Sequence, residues 1–240
     1  MALSPEETRR YARHLVLRGI GGEGQQKLKT ARVLVVGAGG LGSPVIAYLA
    51  AAGVGTLGVV DHDLVSLSNL QRQIVHTTDT AGVPKAESAG TFVAALNPHV
   101  DFIPHNERLT EMNAGALAAS YDLVVDGTDN FLTRLTVADA AEAAGKPLVS
   151  GAVSMFDGQV TVFAPGGPGF HDLYPVAPDE ADLPACEAVG VLGAVTGVIG
   201  TLMAMEAIKL ITGLGEPLIG RLLLYDGRAA RFTELAFGAA

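Results

Sequence analysis

The chain has one cysteine, Cys186, and no tryptophan in 240 residues. A lone cysteine excludes an intramolecular disulfide and any zinc site built from several thiolates. Charge is scarce too. Only 17% of residues are charged against 49% hydrophobic, which argues against disorder and leaves ample apolar surface for a core. Lysine and arginine number 16 against 25 acids, for a net charge of −9. A broad basic face for nucleic acid or an anionic membrane is therefore not expected. Met1 to Glu7 lacks the basic and apolar regions of a signal peptide, so the cytoplasm is the expected compartment.

One stretch does resemble a membrane span. Residues 188–205 carry no charge and are long enough to cross a bilayer. Glu206 and Lys209 continue the same helical pattern, however. Gly190, Gly193, Gly197 and Gly200 form a small-residue stripe suited to close backbone packing. A helix buried against the sheet or a second subunit is the expectation, with no membrane.

Ser4-Pro5-Glu6-Glu7 has the form of a capped helix start. That helix carries Arg10, Tyr11, Arg13 and His14, breaks between Gly19 and Gly24, and is followed by a short helix to Thr30. Strands are then expected at 32–37, 56–61, 99–105, 121–126, 147–152 and 158–164. Helices are expected at 41–52, 84–96, 111–119 and 130–144. This alternation predicts an α/β fold: a Rossmann-like, doubly wound, mostly parallel sheet with an antiparallel C-terminal extension. The whole of 1–240 is expected to form a single domain. Its nucleotide-binding half spans about 30–150 and a proline-rich, mobile crossover loop about 165–188. The helix and strands of 189–240 close it.

Most informative is the run from Arg32 to Gln73. An apolar strand meets Gly37-Ala38-Gly39-Gly40-Leu41-Gly42, which fits the G-x-G-x-x-G spacing between strand and helix. Glycine lets the backbone approach a phosphate closely, and the helix start offers unpaired N–H groups to the anion. Asp61, at the end of the second strand, stands where a carboxylate binds ribose hydroxyls. Basic residues near the motifs (Arg10, Arg13, Arg72 and Lys85) are candidates for a local positive pocket. Arg72 and Lys85 are natural phosphate partners, though each is also compatible with a solvated surface charge. Asn69 and Gln73 could hold a ribose or phosphate oxygen or cap a turn. Asp129 could cap the following helix or bind Mg²⁺. On the fingerprint alone a nicotinamide-dependent oxidoreductase and an inert nucleotide-binding scaffold remain open.

These motifs, in order, resemble the ThiF/MoeB/HesA family, bacterial relatives of ubiquitin-activating enzymes. The likeness is carried by Gly37–Gly42, Asp61-His62-Asp63, Ser68-Asn69-Leu70-Gln71-Arg72-Gln73, Pro84-Lys85 and Thr128-Asp129-Asn130. It continues through Gly151, Asp157-Gly158-Gln159-Val160, Cys186-Glu187 and Leu224-Tyr225-Asp226. The resemblance implies ATP- and Mg²⁺-dependent adenylation of the C-terminal glycine of a ubiquitin-like sulfur carrier ending in Gly-Gly. It implies that Gly39 and Gly42 face the phosphates and Asp61 the ribose. Gly37, Gly40, Asp63, Gln73 and Asn130 complete the nucleotide site. Asn69, Arg72 and Lys85 would hold the triphosphate and Asp129 the magnesium. Arg13 would reach the ATP of the opposite subunit of a homodimer. Cys186 matches a cysteine that some relatives link to the activated carrier, although Asp182 and Glu187 beside it would raise its pKa. The family's two zinc-binding Cys-x-x-Cys pairs are missing: the first would fall near His171 to Pro175, and the chain ends at Ala240 without the second. No structural zinc and no appended sulfur-transferase domain are expected.

Overall fold

A computed structural model describes residues 2–176 and 190–238. Eight strands form one sheet in the order β3-β2-β1-β4-β5-β6-β7-β8. β1 (Arg32–Val36), β2 (Thr56–Val60), β3 (Asp101–His105), β4 (Leu123–Asp126) and β5 (Leu148–Ser154) pair in parallel. β6 (Asp157–Phe163), β7 (Arg221–Asp226) and β8 (Arg231–Ala236) extend the sheet antiparallel from β5. The expected mixed sheet is therefore present. Pro104 fits β3 because that strand lies at the sheet's edge.

Helices cover both faces because β1 is apolar on both. Val33 and Val35 join the side packed by α3 (Gly21–Thr30), α4 (Gly42–Ala52), α5 (Lys85–Leu96) and α9 (Gly193–Thr212). Leu34 and Val36 join the side packed by α6 (Glu111–Ala119), α7 (Phe131–Ala143) and α8 (Phe170–Leu173). A strand buried on both faces reads as a continuous apolar run, as Val33 to Val36 does.

The N-terminal helix is split at Tyr11 into α1 (Pro5–Arg10) and α2 (Ala12–Leu15). Gly21, Gly22 and Gly24, expected to break the chain, lie inside α3, where Gly24 lets the helix sit against Ile20. Ser4 and Glu7 form the expected capping box at α1. Glu7 is buried, and its carboxylate also accepts from Lys29 Nζ at 2.8 Å. The Lys29 bond, with that to the Ser4 backbone, lowers its pKa to about 2. A depressed carboxyl pKa adds stability that is complete above about pH 5 and is lost as pH falls towards 2. Glu7→Gln is therefore expected to cost on the order of 1–2 kcal/mol at pH 6, allowing for solvent around Lys29. The deficit should shrink at pH 3. Urea unfolding at the two values checks this, and an equal deficit at both refutes the ion-pair account.

The glycine-striped segment forms α9, the one described helix long and apolar enough to cross a membrane. It packs on α4, β5 and β6, with Ile199, Met203, Ala204 and Ala207 in the core. Its buried Glu206 accepts from the Leu218 amide and pairs with Lys209. Only part of the stripe makes the close contacts. A Cβ at Gly193 would fall 2.2 Å from the Gln71 carbonyl oxygen, and one at Gly200 2.3 Å from Pro44. Gly190 precedes the helix, and Gly197 meets nothing.

The described part of the crossover, 165–176, is not a bare mobile loop. It holds α8, whose Phe170 is buried against Phe163, Phe131 and Tyr174. Tyr174 Oη also accepts from Gln159 Nε2. Aromatic packing thus holds the segment where the family's first cysteine pair was expected.

Candidate functional site

The strand order reverses direction between β1 and β4, and ligands of open α/β sheets bind at such a switch point, beyond the carboxyl ends of the strands. A cavity of about 570 Å³ opens there. Three segments that follow strands line it: the glycine turn after β1, Asp61 to Asp63 after β2, and Gly127 to Asn130 after β4. Asn69, Arg72, Gln73 and Lys85 complete the wall.

The glycines divide the work. Gly37 adopts φ +90°, a conformation that favours glycine, and Gly39 and Gly40 line the cavity. Gly42 does not line it, contrary to the expectation that it faces the phosphates. It starts α4, and a Cβ there would fall 1.8 Å from the Gly37 carbonyl oxygen. Its role is to let helix and turn touch.

Asp61 is committed to the backbone. Oδ2 accepts from the Ala38 amide at 2.8 Å and Oδ1 from the Asp63 amide at 2.9 Å. The carboxylate shapes the turn while keeping lone pairs for a ribose hydroxyl. Lys85 is no solvated surface charge. It opens α5, is buried, and donates to Asp63 Oδ2 at 2.8 Å. Burial pushes the Asp63 carboxyl up, but the Lys85 hydrogen bond and charge outweigh it and hold its pKa below the ordinary value. Asp61, His62 and Asp63 bring ligand-type atoms within 4.8 Å of one another. The bonds to Ala38, Asp63 and Lys85 show that this acidic cluster braces the loop.

Arg72 is half-buried and lies over Gly40. Its guanidinium donates to Asn69 Oδ1 at 3.2 Å, so two of the three residues expected to hold the triphosphate are pre-assembled. Gln73 is buried in the wall, and its Oε1 has no protein partner. A buried, unpaired acceptor in a cavity wall suits a ligand that donates a hydrogen bond. The helix-cap role considered for Asp129 belongs to Asn130, whose side chain accepts from the Thr133 amide at 2.9 Å. Asp129 is exposed at the cavity wall.

Two basic residues of the predicted pocket lie elsewhere. Arg10 donates to the Leu96 carbonyl, and Arg13 is exposed on α2, away from this chain's cavity. The neighbours of Arg13 are fixed: Tyr11 Oη accepts from Asn97, and His14 Nδ1 bonds Gln25. Cys186, with Asp182 and Glu187, falls outside the described residues.

Two other cations line the cavity unpredicted, Arg108 and Arg134. Arg134, on α7, donates from Nε to Asp126 Oδ2 at 3.2 Å and from Nη2 to the Thr128 carbonyl at 3.0 Å. Asp126 is fully buried and also accepts from Thr128 N, Thr128 Oγ1 and Ser150 Oγ. A carboxylate ending an apolar strand, eight residues before an arginine, was the available signal.

The ThiF family pattern matches residues 11–239. The chain is 53% identical to the probable adenylyltransferase/sulfurtransferase MoeZ of Mycobacterium tuberculosis, over 94% of this chain and 59% of that protein. This chain therefore spans well under two thirds of MoeZ's length. It is 49% identical to the sulfur carrier protein adenylyltransferase of Thermus thermophilus, covering 98% of this chain and 89% of that one. Against the SAMP-activating enzyme E1 of Haloferax volcanii the identity is 48%, covering 99% and 88%. Among solved structures, E. coli MccB with AMPCPP and MccA superposes with a TM-score of 0.86 at 20% identity, covering 98% of this chain and 72% of that one. PaaA gives 0.84 at 22% identity, covering 99% and 76%. The solved structures share the fold, while the match across nearly the whole sequence and the two near-full-length relatives settle the kinship: this chain belongs to the ThiF family.

Proposed function

We propose that this chain is an adenylyltransferase that uses ATP to activate the C-terminal carboxylate of a ubiquitin-like sulfur carrier ending in Gly-Gly. The observation that carries the reading is the convergence of the glycine turn, the Asn69–Arg72 pair, Lys85 and Asp129 on one cavity. The names of the relatives from Thermus and Haloferax agree with it.

The chemistry follows from charge. The carrier's carboxylate is ionised at neutral pH, so the nucleophile needs no general base. Its oxygen attacks the α-phosphorus, the bond to the bridging oxygen breaks, and pyrophosphate leaves with the electron pair. The obstacle is the meeting of two anions. Arg72 and Lys85 offset that repulsion, and the glycine turn with the start of α4 offers backbone N–H groups. Asn69 holds the Arg72 fork in place before substrate arrives. Asp129 supplies the hard carboxylate oxygen that Mg²⁺ prefers; bound Mg²⁺ would neutralise phosphate charge. Gln73 Oε1 is the acceptor awaiting a nucleotide hydroxyl.

The reading includes a cytoplasmic homodimer in which Arg13 serves the partner's cavity. Its exposed place on an anchored helix supports that role. Cys186 is offered as the residue that accepts the activated carrier. Sulfur transfer to the carrier that survives Cys186→Ala would remove it from that role. His171 pairs with Asp139, but neither lines the cavity, so that pair gives no support to hydride chemistry there.

Carrier-dependent exchange of labelled pyrophosphate into ATP tests the proposal. Exchange is expected with a Gly-Gly-ending carrier and Mg²⁺, and Asp129→Ala should lower it at least about tenfold, since one charge-stabilising group is lost. Full exchange in the variant, or thermal stabilisation by NADH and not by ATP, would overturn the reading.

A further inference from the structure

His76 is buried against the glycine turn without lining the cavity, and the mechanism above does not use it. Its ring makes two hydrogen bonds. Nε2 lies 2.9 Å from the carbonyl oxygen of Ala38, and Nδ1 lies 2.8 Å from Ser88 Oγ. A carbonyl oxygen only accepts, so Nε2 carries the proton. In the neutral ring Nδ1 is then the acceptor, and the Ser88 hydroxyl donates to it. Burial disfavours the imidazolium and lowers the pKa below the ordinary 6.5. The Ala38 carbonyl and Asp61, at the end of β2, favour the charged ring, and Lys85 on α5 opposes it.

The three ends of this arrangement are the three segments that would face the triphosphate. Ala38 lies within the glycine turn, and its amide is already held by Asp61, so both sides of that residue are clamped. Ser88 is on the first turn of α5, which begins with Lys85. His76 closes the segment of Asn69, Arg72 and Gln73, and its own amide donates to the Gln73 carbonyl. The turn lies 38 residues before His76 and Ser88 12 residues after it, and one ring joins both to the arginine segment.

We propose that His76, as the neutral Nε2–H tautomer, is a positioning residue that holds the glycine turn, the Lys85 helix and the Arg72 segment in register for the nucleotide phosphates. It touches no substrate and moves no proton. It rests on the reading of this cavity as an ATP site.

Two variants separate positioning from bulk. His76→Leu keeps an apolar filling and loses both bonds. His76→Gln retains a donor able to reach the Ala38 carbonyl. Binding of ATP with Mg²⁺ is measured by calorimetry, and melting temperature is measured on the same samples. His76→Leu is expected to weaken ATP binding at least about tenfold, since both buried hydrogen bonds of the ring are lost. His76→Gln should recover binding to within about threefold, even where it melts as low as the leucine variant. Nitrogen shifts of the labelled histidine ring should show Nε2 protonated and Nδ1 bare at pH 7.5. A ring protonated on Nδ1 alone overturns the proposal, as does ATP affinity unchanged in His76→Leu or equally weak in both variants. If His76→Leu fails to fold, the glutamine variant and the ring shifts still decide. A wild-type chain that does not bind ATP overturns the functional reading and this proposal together. Wild-type binding with unaltered variants overturns this proposal alone.

Discussion

Gly42→Ala is expected to destabilise the fold by more than about 4 kcal/mol and to abolish nucleotide binding, the largest effect of any single methyl group in the site. The reason is what the methyl would meet. The nearest atoms are backbone: the Gly37 carbonyl oxygen at 1.8 Å and its carbon at 2.9 Å. A flexible side chain could swing aside, whereas this carbonyl belongs to a turn whose Gly37 already sits at φ +90°. Gly127 presses from the next strand, where a Cβ would lie 3.0 Å from the Gly42 nitrogen. Relief requires α4 to back away from β1, and that opens the turn proposed to hold the phosphates. Gly40→Ala gives the contrast. Its neighbours are side-chain carbons, Thr196 Cγ2 at 3.0 Å and Arg72 Cγ and Cδ at 3.4 Å, so stability should change by no more than about 1 kcal/mol while Arg72 shifts. Gly22→Ala, on an open part of α3, should be neutral or slightly stabilising. Urea unfolding of the three variants with an ATP titration checks the order. A Gly42→Ala protein within about 1 kcal/mol of wild type would refute the close-contact account.

The same glycine marks the limit of what the sequence reveals. Spacing alone located the turn, its strand and its helix, because those depend on local periodicity. Which glycines touch ligand and which touch backbone depends on how α4 crosses β1, a tertiary fact. Lys85 shows the limit in another way. Its type argues for exposure, but its place at the head of α5 beside Asp63 buries it. Residue chemistry offered Asp129 as the cap of the helix after β4. The cap went to Asn130 because the following turn begins at Phe131, a boundary shift of one residue that patterns do not resolve. Phe170 and Tyr174 were hidden because proline-rich composition suggests loop, while their order comes from Phe163 and Phe131 in distant elements. Asp126 was expected only as part of the strand end that meets the crevice, and its pairing with Arg134 went unremarked because each residue is ordinary in isolation. Their meaning lies in a contact between strand end and helix.

That contact carries the second large effect. Asp126→Ala is expected to cost about 3–5 kcal/mol, since removing one partner of a buried ion pair leaves the other uncompensated. Four donors converge on this carboxylate: Arg134 Nε at 3.2 Å, Ser150 Oγ at 3.0 Å, Thr128 N at 3.0 Å and Thr128 Oγ1 at 2.6 Å. Alanine leaves a guanidinium whose side chain is only 12% exposed. It also releases both Asp126 bonds to Thr128, the residue before Asp129, and leaves only the Arg134 bond to the Thr128 carbonyl. Stability and function should therefore fall together, with Mg²⁺-ATP binding weakened at least about tenfold as the loop loses its register. Asp126→Asn keeps the acceptor for the Thr128 amide and should cost less, roughly 1–3 kcal/mol, through the lost charge. The double variant Asp126→Ala with Arg134→Leu removes the stranded charge and should recover part of the stability without recovering binding, because Thr128 is left untethered. Urea unfolding paired with ATP calorimetry measures both quantities. Full recovery of binding in the double variant would show that the carboxylate serves Arg134 alone. Loss of stability with intact binding would show that the loop presenting Asp129 does not depend on this contact.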